Sequence, residues 1–255
     1  MLRPQQRQLK NNMAEDKVYM QKLLSKIRRA VDDYHMIEDG DKIAVGVSGG
    51  KDSLTLLCAL AELRRFYPAK FEVVGVSLHM GYPDVSYNEV KKLCDKIGVE
   101  YIVKMTDIAE IVFDVRNEKN PCSLCAKMRR GGVNDLAVEL GCNKVALGHH
   151  NEDVLETFFL SLFYEGRLGC FSPVTYLSRR DIHVIRPMIY IPEGDIKAFS
   201  KRQNLPIVEN PCPMDGKSKR EEMKTFINEK TKQDKFFKTR TMHAIQTGLP
   251  NWIIK

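Results

Sequence analysis

Apolar positions recur along this chain with two alternating periods. Short runs rich in valine and isoleucine, Lys42 to Val47, Phe71 to His79, Glu100 to Met105, Lys144 to Gly148 and His183 to Pro187, have the length and composition of strands buried on both faces. Between them, Ser53 to Phe66, Asp84 to Ile97, Ser123 to Leu140 and Glu152 to Tyr164 carry apolar residues at helical spacing. Strand and helix in strict alternation predict an α/β protein with a doubly wound, mostly parallel, five-stranded sheet. A helix from about Ala14 to His35 precedes the sheet, and helical patterns over Glu193 to Gln203 and Ser218 to Ala244 follow it. The expected organisation is a basic helical extension over 1–37, a nucleotide-binding domain over 38–192, and a C-terminal helical extension over 193–255. No repeat stands out. The polar stretch from Asp107 to Pro121 is the longest candidate for a mobile segment over the site.

Charge refines this picture at the two ends. The chain has 255 residues and a formal net charge of +7. Residues 1 to 29 hold eight Lys or Arg against two acids, and residues 216 to 240 hold nine against four. Basic ends around a nearly neutral middle suit helices that grip a nucleic-acid backbone, and equally suit solvated helix faces. Met1 to Lys10 lacks the apolar centre of a secretory signal, and no apolar stretch approaches the roughly 20 residues of a membrane helix. The chain therefore reads as cytoplasmic, with no membrane partner.

The sharpest chemistry follows the first strand. Ser48-Gly49-Gly50-Lys51-Asp52-Ser53 joins that strand to an apolar-periodic helix. Glycines let bare backbone N–H groups approach an anion, the helix N-terminus favours negative charge, and Lys51 adds a point charge. The nucleoside-triphosphatase pattern is not met, since Gly46 to Gly50 is one residue too short and Asp52 stands where a metal-binding hydroxyl belongs. A carboxylate beside phosphate calls for magnesium or a hydrogen-bonded partner between them.

Other candidates end neighbouring strands, at the edge where open α/β sheets bind ligands. They are Leu78, His79 and Met80 after the second strand, and Gly148, His149 and His150 after the fourth. Asp153 is the leading carboxylate for orienting magnesium or taking a proton, with Glu156 one turn on. Arg129 is placed to neutralise a leaving group; Arg130, Arg186, Lys217, Lys219 and Arg220 are the candidate RNA contacts. Tyr82, Tyr164 and Phe171 are aromatic candidates for stacking a base, though such residues commonly serve the core.

Seven cysteines in a reducing compartment point to metal or redox chemistry. Pro121-Cys122-Ser123-Leu124-Cys125 opens a helix and sets two thiols within reach of one metal, and Cys212 lies between prolines 211 and 213. Three thiolates leave one corner open. Three readings stand side by side: a four-iron cluster with an open iron, a zinc site completed by a histidine or Cys170, and a persulfide-bearing C-x-x-C. Cys58, Cys94, Cys142 and Cys170 read as structural.

Two resemblances follow from these motifs. S-G-G-x-D-S is the loop of the pyrophosphatase-loop ATP enzymes. Adding P-C-S-L-C-x-K-M-R-R-G, L-G-H-H-N-E-D-V-L-E-T-F-F-L, I-R-P-M and the isolated Pro-Cys-Pro, the chain resembles the tRNA 2-thiocytidine synthetase family over about residues 20 to 230. The resemblance implies an adenine nucleotide alpha-hydrolase-like fold and cleavage of ATP between the α and β phosphates. It also implies an oxygen-sensitive 4Fe-4S cluster at the positions matching Cys122, Cys125 and Cys212, and a functional carboxylate at Asp153. The implied reaction adenylates O2 of an unpaired anticodon-loop cytidine and replaces it with sulfur. ATP as co-substrate, Mg2+, tRNA, a sulfur donor such as a cysteine desulfurase, and a homodimer complete the expectation. Rival readings are a uridine thiolase, an adenylating ligase stabilised by zinc, and a nucleotide- or RNA-binding protein without turnover.

Overall fold

A computed structural model describes residues 4–116, 121–209, 211–212 and 219–254. At its centre is one six-stranded sheet in the order β3-β2-β1-β4-β6-β5. The strands are β1 (Asp41–Gly46), β2 (Phe71–His79), β3 (Glu100–Met105), β4 (Lys144–Ala146), β5 (Val174–Leu177) and β6 (Ile182–Ile185). β1, β2, β3, β4 and β6 pair in parallel; β5 pairs antiparallel with β6. The sheet is thus one strand wider than the five expected. β5 escapes the sequence pattern because it is only four residues long and, at the sheet edge, none of its positions is fully buried.

Strand order reverses between β1 and β4, whose register sets Ile43 beside Lys144 and Val45 beside Ala146. A crevice therefore opens beyond the carboxyl ends of these two strands, where crossover helices on either face diverge. Helix α2 (Lys51–Leu63) leaves β1 and is buried along most of its length, and α6 (Asn151–Tyr164) leaves β4. Helices α3 (Asn88–Ile97) and α5 (Pro121–Glu139) complete the crossovers. Gly132 lets α5 lie close on β2: a Cβ there would stand 2.8 Å from Leu78 Cδ1.

The helical ends share the core of the sheet domain. Helix α1 (Pro4–Asp33) contributes Leu23, Leu24, Ile27 and Val31, spaced to line one helix face. Helix α7 (Glu193–Arg202) adds Ile196 and Phe199 to the same cluster. From α8 (Lys219–Gln233) and α9 (Phe237–Gly248) come Met223, Ile227, Met242 and Ile245. Trp252, in a final 3-10 turn, is fully buried and donates its indole N–H to Phe171 O at 3.0 Å. The expected C-terminal helix over 218–244 is two helices. Asp234 separates them, its carboxylate accepting Phe236 N–H at 2.9 Å and its carbonyl accepting Phe237 N–H at 3.0 Å.

The segment expected as a lid is partly structured. Helix α4 (Ile108–Glu110) and a π-turn (Ile111–Val115) bury Ile108 and Val112 against the second core cluster. Residues 117–120, which complete that expectation, lie outside the described residues.

Candidate active site

Three helices, α2, α6 and α7, start at the crevice with Lys51, Asn151 and Glu193. The helix dipole makes each start favourable to negative charge, although the first N–H groups of α6 and α7 are already taken by Ile191 O and Glu152 Oε2. The loop before α2 is held by its own serines. Ser48 N–H donates to Ser53 Oγ at 3.1 Å, Gly50 N–H donates to Ser48 Oγ at 3.4 Å, and Ser53 Oγ donates to Gly50 O at 3.0 Å. Gly49 adopts φ +85°, a conformation that glycine accepts without strain.

Gly148 supports this loop from β4. A Cβ on Gly148 would lie 3.1 Å from Asp52 C and from Ser53 N, backbone atoms that cannot rotate away. Gly148→Ala is therefore expected to displace the first turn of α2, lowering stability by about 1–3 kcal/mol and weakening ATP binding. Chemical denaturation and ATP titration of the variant check both; an unchanged ATP affinity contradicts the close packing.

Charged side chains fill the crevice in an interlocked set. Lys51 Nζ lies 3.0 Å from Asp52 Oδ2 and 3.1 Å from Glu193 Oε1. Burial opposes its charge, but these carboxylates outweigh burial and raise its pKa. Asp52 Oδ1 is buried and, among the described residues, has no hydrogen-bond partner. An orphaned carboxylate oxygen beside a phosphate-binding turn fits a hard cation, and makes Asp52 the side chain suited to hold magnesium.

Asp153 is differently occupied. Its Oδ2 accepts His150 N–H at 2.9 Å, and its Oδ1 accepts Arg220 Nη1 at 2.8 Å. His150 itself faces Asp52, Glu152 and Asp153 at 3.8, 3.4 and 3.5 Å. Burial lowers its pKa, yet the surrounding carboxylates win and raise it. Glu152 accepts Lys238 at 2.8 Å and the Glu193 N–H at 2.7 Å. Although burial disfavours its charge, those donors and His150 bring its pKa down to about 2. Lys197, Lys51 and Lys224 likewise overcome burial to hold Glu193 at about 2. Sequence reasoning missed Glu152, Glu193, Lys224 and Lys238, because their partners are far away along the chain.

His79 occupies both ring nitrogens locally, with Nε2 3.1 Å from Val85 O and Nδ1 accepting Gly81 N–H at 3.2 Å. Leu78 is buried and Met80 packs against the second core cluster. His149 lies against Phe171, ring centroids 4.8 Å apart. Burial, reinforced by Arg186, lowers its pKa to about 4, so it is neutral near pH 7.

The cysteines lie close to this crevice. Val208 N–H donates to Gly49 O at 3.0 Å, so the segment leading to Cys212 crosses directly over the phosphate loop. A Cβ on Gly49 would meet Val208 Cβ at 2.7 Å and Tyr87 Cε1 at 3.6 Å. Tyr87 feels the charge of Arg129, and so does the thiol of Cys125. Burial pushes the Cys125 thiol up, Arg129 opposes it, and both Cys212 and Cys122 push it further. Tyr82 also senses Cys212 and Cys125. The three thiols are thus electrostatic neighbours.

Among the described residues, however, no three His, Cys, Asp or Glu side chains are gathered tightly enough to hold a metal ion. A single zinc would require sulfurs about 3.8 Å apart, from its Zn–S distance of about 2.3 Å. A cluster with four metal atoms separates its ligands more widely. Three thiols with no further ligand gathered among the described residues leave a coordination position open and do not make a closed four-ligand zinc site.

The candidate RNA contacts divide. Lys219 is exposed, 3.3 Å from Glu222 and over the Tyr164 ring at 5.0 Å. Exposed Arg130 donates to Ala126 O at 3.2 Å. Lys217 lies outside the described residues. Arg186, expected to meet phosphate or RNA, instead turns into the protein. It is 9% exposed, donates to Ser172 O at 2.6 Å and Thr175 Oγ1 at 3.1 Å, and stacks on Phe171. Arg220, also expected at the RNA, reaches inward to Asp153.

Comparison with known proteins agrees with this architecture. The PP-loop domain family matches residues 19–231. A tRNA-cytidine(32) 2-sulfurtransferase of Geobacter sulfurreducens is 36% identical over 242 residues, covering 94% of each chain. One from Stutzerimonas stutzeri is 42% identical over 204 residues, covering 78% of this chain and 74% of its own. Among solved structures, the U34-tRNA thiolase NcsA from Methanococcus maripaludis with its 4Fe-4S cluster shares the fold, with a TM-score of 0.72 at 24% identity over 88% of this chain and 76% of that one. No described helix is long and apolar enough to cross a membrane. A phosphate loop at the β1/β4 switch point, set within a match that spans most of the sequence, establishes that the chain belongs to the tRNA 2-thiocytidine synthetase family of PP-loop enzymes.

Proposed function

We propose that this protein is an ATP-dependent tRNA sulfurtransferase that converts an anticodon-loop cytidine, at position 32, to 2-thiocytidine. The observation that carries the reading is the passage of the Cys212 segment over the phosphate loop, through the Val208–Gly49 hydrogen bond, toward the thiol of Cys125. The names of the relatives from Geobacter and Stutzerimonas support the same nucleoside.

The crevice side chains divide the work. Ser48 to Ser53 and the α2 N-terminus hold the β and γ phosphates, with Lys51 transferring its contacts from Asp52 and Glu193 to them. Asp52, with its buried unpartnered oxygen, would hold magnesium, which would offset charge on the phosphates. O2 of the cytosine attacks the α-phosphorus, its bond to phosphorus forms, and pyrophosphate leaves with the electron pair of the broken bridge. A sulfide nucleophile then adds at C2 and AMP departs, leaving C=S where C=O stood. Asp153, oriented by His150 N–H, is the carboxylate placed to accept a proton. Cys122, Cys125 and Cys212 would hold a 4Fe-4S cluster; when bound, it supplies an iron open to exogenous sulfide. Arg129 steadies the Cys125 thiolate. Lys219 and Arg130 contact the tRNA backbone, an unpaired loop cytidine being accessible without opening a duplex. A cysteine desulfurase is the proposed sulfur donor, and the cytoplasmic protein works as a homodimer.

Mass analysis of tRNA nucleosides from cells lacking the protein tests the reading. Loss of 2-thiocytidine, restored by the intact gene, is expected. Unchanged 2-thiocytidine, or loss of a thiouridine instead, overturns it.

A further inference from the structure

The C-terminal helices send three cations back into the crevice, and each meets a different carboxylate. Lys224 stands 3.6 Å from Glu193 Oε1, and Lys238 stands 2.8 Å from Glu152 Oε1. Arg220, in the first turn of α8, does more. Its Nη1 lies 2.8 Å from Asp153 Oδ1 and 3.6 Å from Glu156 Oε2, while Nη2 is 3.4 Å from Thr157 Oγ1. Asp153, Glu156 and Thr157 lie one turn apart on one face of α6, so a single planar guanidinium spans all three.

We infer that Arg220 is a positioning residue of the thiolation reaction, one that clamps the Asp153 carboxylate in place on α6 and keeps it apart from Glu156. For the reaction the inference rests on the function proposed above; the charge arrangement itself does not depend on substrate.

The physical argument starts from two carboxyls held close on one helix. Like charges at such spacing disfavour double ionisation, and the more buried partner takes the proton. Glu156 is buried, only 5% exposed. Burial first and Asp153 second raise its pKa to about 7, against the pull of Arg220, His150 and Lys224. These four charged groups face it from α6, from its N-cap His150 and from α8. With Arg220 gone, Glu156 keeps its proton to higher pH and gains an O–H able to donate to Asp153. The Oδ1 that Arg220 now holds would turn along the helix toward Glu156. An arginine serving only to grip tRNA would have no reason to bridge these acids, and its loss would leave their titration alone.

Carboxyl carbon-13 NMR of glutamate-labelled protein, without ATP or tRNA, reads the pair directly. The Glu156 signal, assigned by its disappearance in Glu156→Gln, is expected to titrate near neutrality in the parent. Its midpoint moves up in Arg220→Gln and largely returns in Arg220→Lys, which keeps the charge. In thiolation assays Arg220→Gln should lower kcat and move the acid limb of its pH profile to higher pH, with KM for tRNA changed less than about twofold. A Glu156 midpoint unmoved in Arg220→Gln overturns the inference. So does a tenfold rise in KM for tRNA with unchanged kcat and pH profile, which would make Arg220 an RNA contact. If the parent protein fails to thiolate tRNA, the proposed function falls, while the NMR titration still decides the role of Arg220.

Discussion

Alanine at Cys122, Cys125 or Cys212 is expected to abolish thiolation, lowering its rate more than about 100-fold, and to strip iron and sulfide from protein prepared without oxygen. In the proposed site each thiol supplies one of three protein ligands, so loss of any one leaves only two. ATP binding should survive all three changes. The phosphate loop is held by serine hydroxyls and by Gly148 packed on α2, not by the cysteines. Cys212→Ala is the most informative because its segment also contributes the Val208–Gly49 hydrogen bond. If Cys212→Ala loses iron but keeps ATP affinity, the segment is anchored at Val208 independently of the metal. Full iron content in any one variant removes that residue from the ligand set. Equal loss from a control such as Cys142→Ala, a buried residue of the second core cluster, would instead indicate that iron follows general stability.

The parts legible in the sequence were those encoded by neighbours. β1, the glycine turn and α2 are contiguous, so strand, cradle and helix start could be read as one unit, and the observed α2 begins at Lys51. The same holds for Gly148 to Asp153, where strand end and capping carboxylate adjoin. What escaped was encoded at a distance. Arg220 meets Asp153 across 67 positions and Lys238 meets Glu152 across 86. On helix patterns alone these cations look like solvated or RNA-facing charges. Their inward direction follows from Met223, Ile227, Met242 and Ile245, which fix the buried faces of α8 and α9 against α6 and so orient the basic residues beside them. The Arg186 expectation failed for a related reason. An arginine before proline at a strand end looked like a phosphate ligand, but the β5–β6 hairpin, too short to read, supplies Thr175 Oγ1 to hold it.

Asp52→Asn is expected to slow pyrophosphate release by about 10²–10³-fold, comparable to removing a group that stabilises transition-state charge, while iron content stays at the parent level. The substitution keeps the side-chain volume and removes one negative charge, so packing against the phosphate loop is preserved. The carboxylate has two separable duties here. Oδ2 accepts Lys51 at 3.0 Å, a contact that Glu193 at 3.1 Å can replace. Oδ1 is buried without a hydrogen-bond partner among the described residues, a costly state that a bound cation would relieve. An amide there cannot supply the charge that magnesium requires. The apparent affinity for Mg2+, read by titrating the metal at saturating ATP, should therefore weaken together with the rate, and excess Mg2+ should recover part of it. Asp153→Asn provides the contrast, since both oxygens of Asp153 are already engaged, by His150 N–H and by Arg220. It should lower the thiolation rate with little change in metal affinity. The reverse pattern, weak metal binding in Asp153→Asn and normal binding in Asp52→Asn, would transfer the cation to α6 and leave Asp52 as a partner of Lys51 alone.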